Sequence, residues 1–226
     1  MVKNRASRTE IFNLMPDDFI NDARAGIDFL ANNPVFDKNK ILLIAHSKGG
    51  SFAPEIAKGK NLKGVIVVAP GLLPFRDQVI YQLNYQIKLF EKYNQGHQLD
   101  SKIKELKTLL SKIEAAFKLK DSGKIPANGL IMGMSLKFFD RYMELTKNVA
   151  ENIITIKTPV LFINGTFDLK CPKELVEERK NVFAKKRDLS IVYIENMLHD
   201  FYLNRSGLFA EELPGNIIKW WKSIGG

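Results

Sequence analysis

The sequence predicts an α/β protein: a mostly parallel sheet flanked by helices, with a helical insertion. Three observations point there. Four short runs, Lys40–Ala45, Gly64–Ala69, Pro159–Ile163 and Leu189–Ile194, are rich in β-branched residues and almost continuously apolar, as strands buried on both faces are. Amphipathic helical patterns alternate with these runs, which is how parallel strands are connected. Between the second and third runs lie roughly 90 residues with helical patterns and no convincing strand, far more than a strand-to-helix connection needs.

The first element, Asp17–Asn32, carries Phe19, Ala23, Ile27 and Leu30 at helical spacing, with Pro16 at its first turn and Pro34 beyond its end. Strand Lys40–Ala45 follows, then helix Lys48–Lys58 and strand Gly64–Ala69. The insertion reads as helices Leu73–Tyr93 and Leu99–Lys118 parted at Asn94–Gly96, a loop Asp121–Gly133, and a helix Ser135–Asn152. The chain resumes with strand Pro159–Ile163, helix Pro172–Ala184, strand Leu189–Ile194 and helix Leu213–Ile224. Three parts result: residues 1–70, 71–152 and 153–226.

Composition narrows the classes. At 226 residues and 45% apolar content the chain suits one globular domain, not a disordered tail or a disulfide-stapled miniature. Cys171, the single cysteine, has no internal partner, so nothing demands an oxidising compartment. No apolar run approaches the ~20 residues of a membrane span, and Met1–Glu10 is basic without the apolar stretch of a signal peptide. The expectation is a soluble, cytoplasmic protein with no membrane partner. The formal charge of +9 includes thirteen basic against eight acidic residues in Gly71–Ala150, on what read as solvated helix faces. Without basic clusters interleaved with aromatics, or zinc-finger or phosphate-loop spacing, no nucleic-acid partner is expected.

The chemistry centres on Ala45-His46-Ser47-Lys48-Gly49-Gly50, directly after a buried run and before a helical one. It fits the nucleophile-elbow pattern G-x-S-x-G with Ala45 in the first glycine position. Such a turn is tight enough to require small residues two before and two after the serine, here Ala45 and Gly49 with Gly50 beside it, and it leaves the Lys48 backbone N–H facing a developing oxyanion. A serine nucleophile needs a base, and the base an orienter. Of three histidines, His46 adjoins the serine and points elsewhere, and His97 sits in a polar turn. His199, in the loop after the last strand, is placed to reach Ser47. Asp168, just after the third strand and its turn Gly165, supplies the acid. Asp200 competes for that role but is adjacent to His199 and poorly placed to bond its ring. A rate that rises with pH is expected if a histidine is the base.

On these residues the sequence resembles the α/β-hydrolase superfamily, and more narrowly bacterial carboxylesterases with a helical cap between the sixth and seventh strands. The resemblance runs through Asp22–Leu30, Asp37–Pro54, Gly64–Pro74, Thr158–Pro172 and Met197–Phe201. It implies acyl-ester hydrolysis through an acyl-enzyme: Ser47 attacks, His199 carries the proton and Asp168 orients it. The substrate would be a small-molecule acyl ester, with no cofactor and no metal. Residues 1–70 and 153–226 would form a partial α/β-hydrolase core and 71–152 the cap.

The sequence departs from the family before the elbow. Members have three or four strands there, and a loop after the third donates the other oxyanion N–H. Here only about 40 residues precede the elbow strand, so Lys48 has no evident partner donor, a loss typically worth about 100- to 1,000-fold in rate. Lys40–Ala45 would also stand as an unpaired apolar edge open to self-association. Three expectations follow: a C-terminal portion of a longer esterase, a short weakly active or inactive form acting as an interaction module through its edge or cap, or a short hydrolase completed by a second chain.

Overall fold

The computed structural model describes residues 14–126, 128–204 and 206–226; the basic stretch Met1–Glu10 lies outside them. The chain runs through α1 (Pro16–Asn32), β1 (Leu42–His46), α2 (Lys48–Ala57), β2 (Gly64–Val68), α3 (Phe75–Tyr93), a 3₁₀ turn (Gln95–His97) and α4 (Asp100–Asp121). There follow β3 (Leu130–Ile131), β4 (Met134–Ser135), α5 (Leu136–Leu145), α6 (Val149–Ile154), β5 (Val160–Gly165), α7 (Lys173–Glu178), α8 (Lys180–Phe183), β6 (Leu189–Ile194) and α9 (Glu212–Ser223).

The four strands legible in the sequence form one parallel sheet in the order β1-β2-β5-β6. Register pairs Leu42 with Gly64, Val65 with Val160 and Val160 with Leu189. Because successive strand side chains point to opposite faces, each strand feeds two cores. Val65, Val67, Val160 and Phe162 face a core closed by Ile20 and Ile27 of α1, Phe52 and Ile56 of α2, and Ile153 of α6. Ile66, Val68, Leu161 and Ile163 face the opposite side, covered by Leu213 and Trp220 of α9.

β2 and β5 are buried along their whole length, but β1 ends the sheet. Its outer edge has no partner strand among the described residues, and its Ile44 is 56% exposed. Among the described residues that edge of the run Lys40–Ala45 is thus open. Among the described residues no helix is long and apolar enough to cross a membrane.

In α1 the Met15 N–H donates to the Asp18 carboxylate at 2.7 Å, and Asp17 and Asp18 place negative charge at the positive helix end. The buried stripe runs through Pro16, Ile20 and Ile27, so Ile20 takes the place expected of Phe19, whose ring meets Phe138 edge-on at 6.3 Å. Arg141 of α5 grips both Asp17 oxygens at 2.8 Å and fastens α1 to the insertion.

The insertion has its own core of Val79, Leu83 and Ile87 from α3, Leu106, Ile113 and Phe117 from α4, and Phe139 from α5. Three details differ from the sequence reading. The Asp121–Gly133 loop ends in a small antiparallel hairpin, β3–β4, turned by Met132 and Gly133 at positive φ. Ser135–Asn152 is two helices rather than one, interrupted where the Thr146 hydroxyl accepts from Phe75 N–H and donates to the Tyr142 carbonyl. Pro172–Ala184 likewise splits, at Arg179.

Candidate active site

Ser47 occupies the turn from β1 into α2 with φ 54° and ψ −121°, a conformation non-glycine residues adopt only when their surroundings impose it. Two backbone bonds impose it here. Ser47 N–H donates to Val68 O at 2.9 Å, continuing the β1–β2 ladder, while Ser51 N–H already donates to Ser47 O at 3.2 Å, opening the helix. The N–H groups of Lys48, Gly49 and Gly50 precede Ser51, the first intrahelical donor, so helix geometry gives them no acceptor within the helix.

Ala45 is buried at the end of the elbow strand, as small-residue packing requires. Of the two glycines expected to supply the small-residue packing, Gly49 and Gly50, the close approach falls on Gly50. A Cβ on Gly49 would meet nothing within 4 Å, whereas on Gly50 it would press on Pro70 and Val67 side chains at 3.1 Å and on Ala45 O at 3.2 Å. The first turn of α2 rolls Gly50, not Gly49, back against β2.

The loop after β6 brings His199 to the serine. Its Nε2 lies 2.9 Å from Ser47 Oγ and its Nδ1 2.9 Å from Asp168 Oδ2. With Nδ1–H donating to the carboxylate, Nε2 is the acceptor for the serine hydroxyl. Asp168 is 2% exposed, and its other oxygen accepts from Lys170 and Cys171 N–H at 2.8 and 2.9 Å, which fixes the carboxylate's orientation. Asp168, rather than Asp200, is thus the acid that meets the ring. His97 is exposed and pairs with Asp100 at 3.0 Å in the insertion's turn.

His46 turns away from the serine and donates from Nε2–H to the backbone carbonyl of His199 at 2.9 Å. Its ring lies between those of His199 and Phe201, with centroids 4.9 and 4.4 Å away. Burial above all, with the neighbouring His199 adding to it, lowers its pKa, so the neutral donor form is the one this packing favours.

Several contributors carry no motif. Gly165 lets the acid loop touch the histidine loop: Phe167 N–H donates to Met197 O at 3.2 Å and Asn196 N–H to Thr166 Oγ1 at 2.8 Å. Gln78 of α3, 8% exposed, accepts from Leu72 and Leu73 N–H and donates to Lys170 O at 2.9 Å, joining the insertion to both loops. Cys171 donates to Pro70 O at 2.6 Å, and complete burial raises its thiol pKa, so it serves packing rather than reactivity. A polar residue inside an apolar helical stripe, as Gln78 is, was the one available sequence signal.

Gln78 and Cys171 border, with Ser47 and His199, a cavity of about 190 Å³. Lys48 also lines it, and Phe75, Gln78 and Tyr142 come to it from the insertion. A hydroxyl on a strained elbow, bonded to an imidazole that is bonded to a buried carboxylate, can be deprotonated as it attacks a carbonyl.

A parallel sheet, an elbow serine after a strand, and an acid and histidine on later strand-end loops define an α/β hydrolase of the serine type. The family model for serine aminopeptidase, S33, matches residues 14–206, and the chain belongs to that family. Esterase EstD of Thermotoga maritima is 24% identical over 182 residues, which are 80% of this chain. The chain spans 40% of that relative's length. Among solved structures, the Pyrococcus furiosus esterase Pf2001 aligns with a TM-score of 0.56 and 18% identity over 95% of this chain and 65% of its own. The α/β hydrolase GrgF from Penicillium sp. sh18 aligns with a TM-score of 0.56 and 16% identity, over 93% and 72%. Both share the fold.

Proposed function

We propose that this chain hydrolyses short-chain carboxylic esters through an acyl-enzyme on Ser47. The observation that carries the reading is the continuous relay from Ser47 Oγ to His199 Nε2 and from His199 Nδ1 to Asp168 Oδ2, each link 2.9 Å. Ser47 Oγ attacks the ester carbonyl carbon while its proton passes to His199 Nε2. Asp168 keeps Nδ1–H directed at itself and stabilises the imidazolium. The carbonyl oxygen, now an oxyanion, takes a hydrogen bond from Lys48 N–H. When the tetrahedral intermediate collapses, the C–O bond to the alcohol breaks and the alcohol leaves with the proton from Nε2. Water, deprotonated by the same imidazole, then splits the acyl-serine to acid and free Ser47.

The cavity volume of about 190 Å³ is small beside the ~300 Å³ and upward of sites for drug-sized ligands, which favours short acyl groups. In this reading residues 71–152 act as the cap over the site, since α3 and α5 supply Phe75, Gln78 and Tyr142 to it. Hydrolysis of p-nitrophenyl butyrate by the purified chain, lost in Ser47→Ala, is the expected result. Equal rates in the two proteins would reject Ser47 as nucleophile.

A second reading rests on β1, where exposed Ile44 sits in a strand whose outer edge has no partner strand among the described residues. There the chain acts as an interaction module, pairing through that edge. Concentration-dependent dimerisation abolished by Ile44→Lys, without esterase turnover, would favour it.

A further inference from the structure

The inserted helix α3 carries two stripes of residues four apart, each on one face of the helix. Val79, Leu83 and Ile87 pack in the insertion's own core. One residue before each stand Gln78, Gln82 and Gln86, and the first and last of these reach the loop that bears Asp168. Gln78 Nε2 donates to Lys170 O at 2.9 Å, and Gln86 Nε2 donates to Leu169 O at 3.3 Å. The Gln78 side-chain oxygen accepts from Leu72 and Leu73 N–H at 3.0 and 3.2 Å, which fixes the direction of its amide.

The two carbonyls bound by these amides belong to the two peptide groups that hold the acid. A peptide group is a rigid plane whose C=O and N–H point to opposite sides. The plane joining Leu169 to Lys170 is bound at its oxygen by Gln86 and donates its N–H to Asp168 Oδ1 at 2.8 Å. The plane joining Lys170 to Cys171 is bound at its oxygen by Gln78 and donates its N–H to the same atom at 2.9 Å. A turn of either plane that breaks the glutamine bond also swings its N–H off the carboxylate. The core holds the loop one step further on, where Asn164 Nδ2 donates to Cys171 O at 2.9 Å.

We infer that Gln78 and Gln86 are positioning residues for the acid. Acting through these two peptide planes, they aim Asp168 at His199 Nδ1, so the relay to Ser47 is assembled only while α3 lies on the acid loop. The inference rests on the serine-hydrolase reading above. If the amides merely fastened the insertion to the core, their loss would lower stability and change nothing at the imidazole.

The test uses Gln78→Met and Gln86→Leu in the full chain, with two readouts. Long-range proton–nitrogen NMR spectra of protein carrying isotope-labelled histidine, taken in alkaline buffer, report which ring nitrogen of His199 bears the proton. Signals missing from His199→Ala assign that ring. Hydrolysis of p-nitrophenyl butyrate gives kcat and KM.

The wild-type ring is expected to carry its proton on Nδ1. In each variant a population protonated on Nε2 appears, because the bond that sets the tautomer is loosened. With it kcat falls, by about 10- to 100-fold in Gln78→Met and by less in Gln86→Leu, whose bond is longer. KM holds in Gln86→Leu, since Gln86 is not among the residues bordering the cavity. Gln78→Met also deprives Leu72 and Leu73 N–H of their acceptor; should it fail to fold, Gln86→Leu, at a half-buried position, decides alone. The wild-type tautomer kept in the folded variants, or kcat kept while KM rises, overturns the positioning role and leaves the hydrolase reading standing. No turnover by folded wild-type protein overturns the hydrolase reading, and the tautomer alone then decides whether the two amides set the imidazole–carboxylate bond.

Discussion

Gly165 and Met197 pack backbone to backbone: a Cβ on the glycine would fall inside the carbonyl of Met197. This contact seats the loop bearing Asp168 against the loop bearing His199, and the neighbouring Phe167-to-Met197 and Asn196-to-Thr166 bonds depend on it. Gly165→Ala should cost about 3 kcal/mol, the upper end for overpacking, because the obstacle is backbone and cannot rotate away. Urea unfolding reads the loss of stability.

The elbow glycines should separate in the same experiment. Gly49→Ala adds a methyl into open space in a helix, and should stabilise the chain by up to about 1 kcal/mol. Gly50→Ala must displace Pro70, Val67 or the Ala45 carbonyl, and should destabilise it by about 1–3 kcal/mol. Thermal melts of the two variants should move in opposite directions.

Asp168→Asn keeps an oxygen for the Lys170 and Cys171 N–H groups, so the loop stays folded. The amide, however, presents N–H to His199 Nδ1 and selects the tautomer whose Nε2 carries a proton and cannot accept one from Ser47. Esterase kcat should fall by about 10⁴-fold with little change in melting temperature.

His46 ties stability to pH. Its folded pKa lies below the ordinary 6.5 because of burial, so on acidification the unfolded chain takes up a proton that the folded chain resists. Its contribution is therefore complete above pH 6.5 and is lost as the pH falls through that value toward the folded pKa. The melting temperature should drop between pH 7.5 and 5.5, and drop less in His46→Gln, which keeps an N–H for the His199 carbonyl.

The sheet was legible because buried parallel strands are written as unbroken apolar runs: Leu189–Ile194 is the observed β6, and the other three strands lie within two residues of their expected ends. That Ser47, Asp168 and His199 come together was legible because each follows an apolar run, at the end of a strand. What stayed hidden depends on contacts distant in sequence. Whether Gly49 or Gly50 is the crowded residue depends on how α2 rolls against β2. Gly165 looks like a turn glycine until the Met197 loop is set against it. The break at Thr146 depends on its bond to Phe75 across the insertion, and the facing of Tyr142 into the cavity depends on α5 packing beside α2.

The central claim is that Ser47 is an activated nucleophile. A fluorophosphonate reacts covalently only with such a serine, so peptide mass spectrometry of the treated, folded chain tests it directly. The account predicts one adduct per chain, located on Ser47 and absent in Ser47→Ala and His199→Ala. A folded, monodisperse sample with no adduct, or with the adduct on another residue, would contradict it.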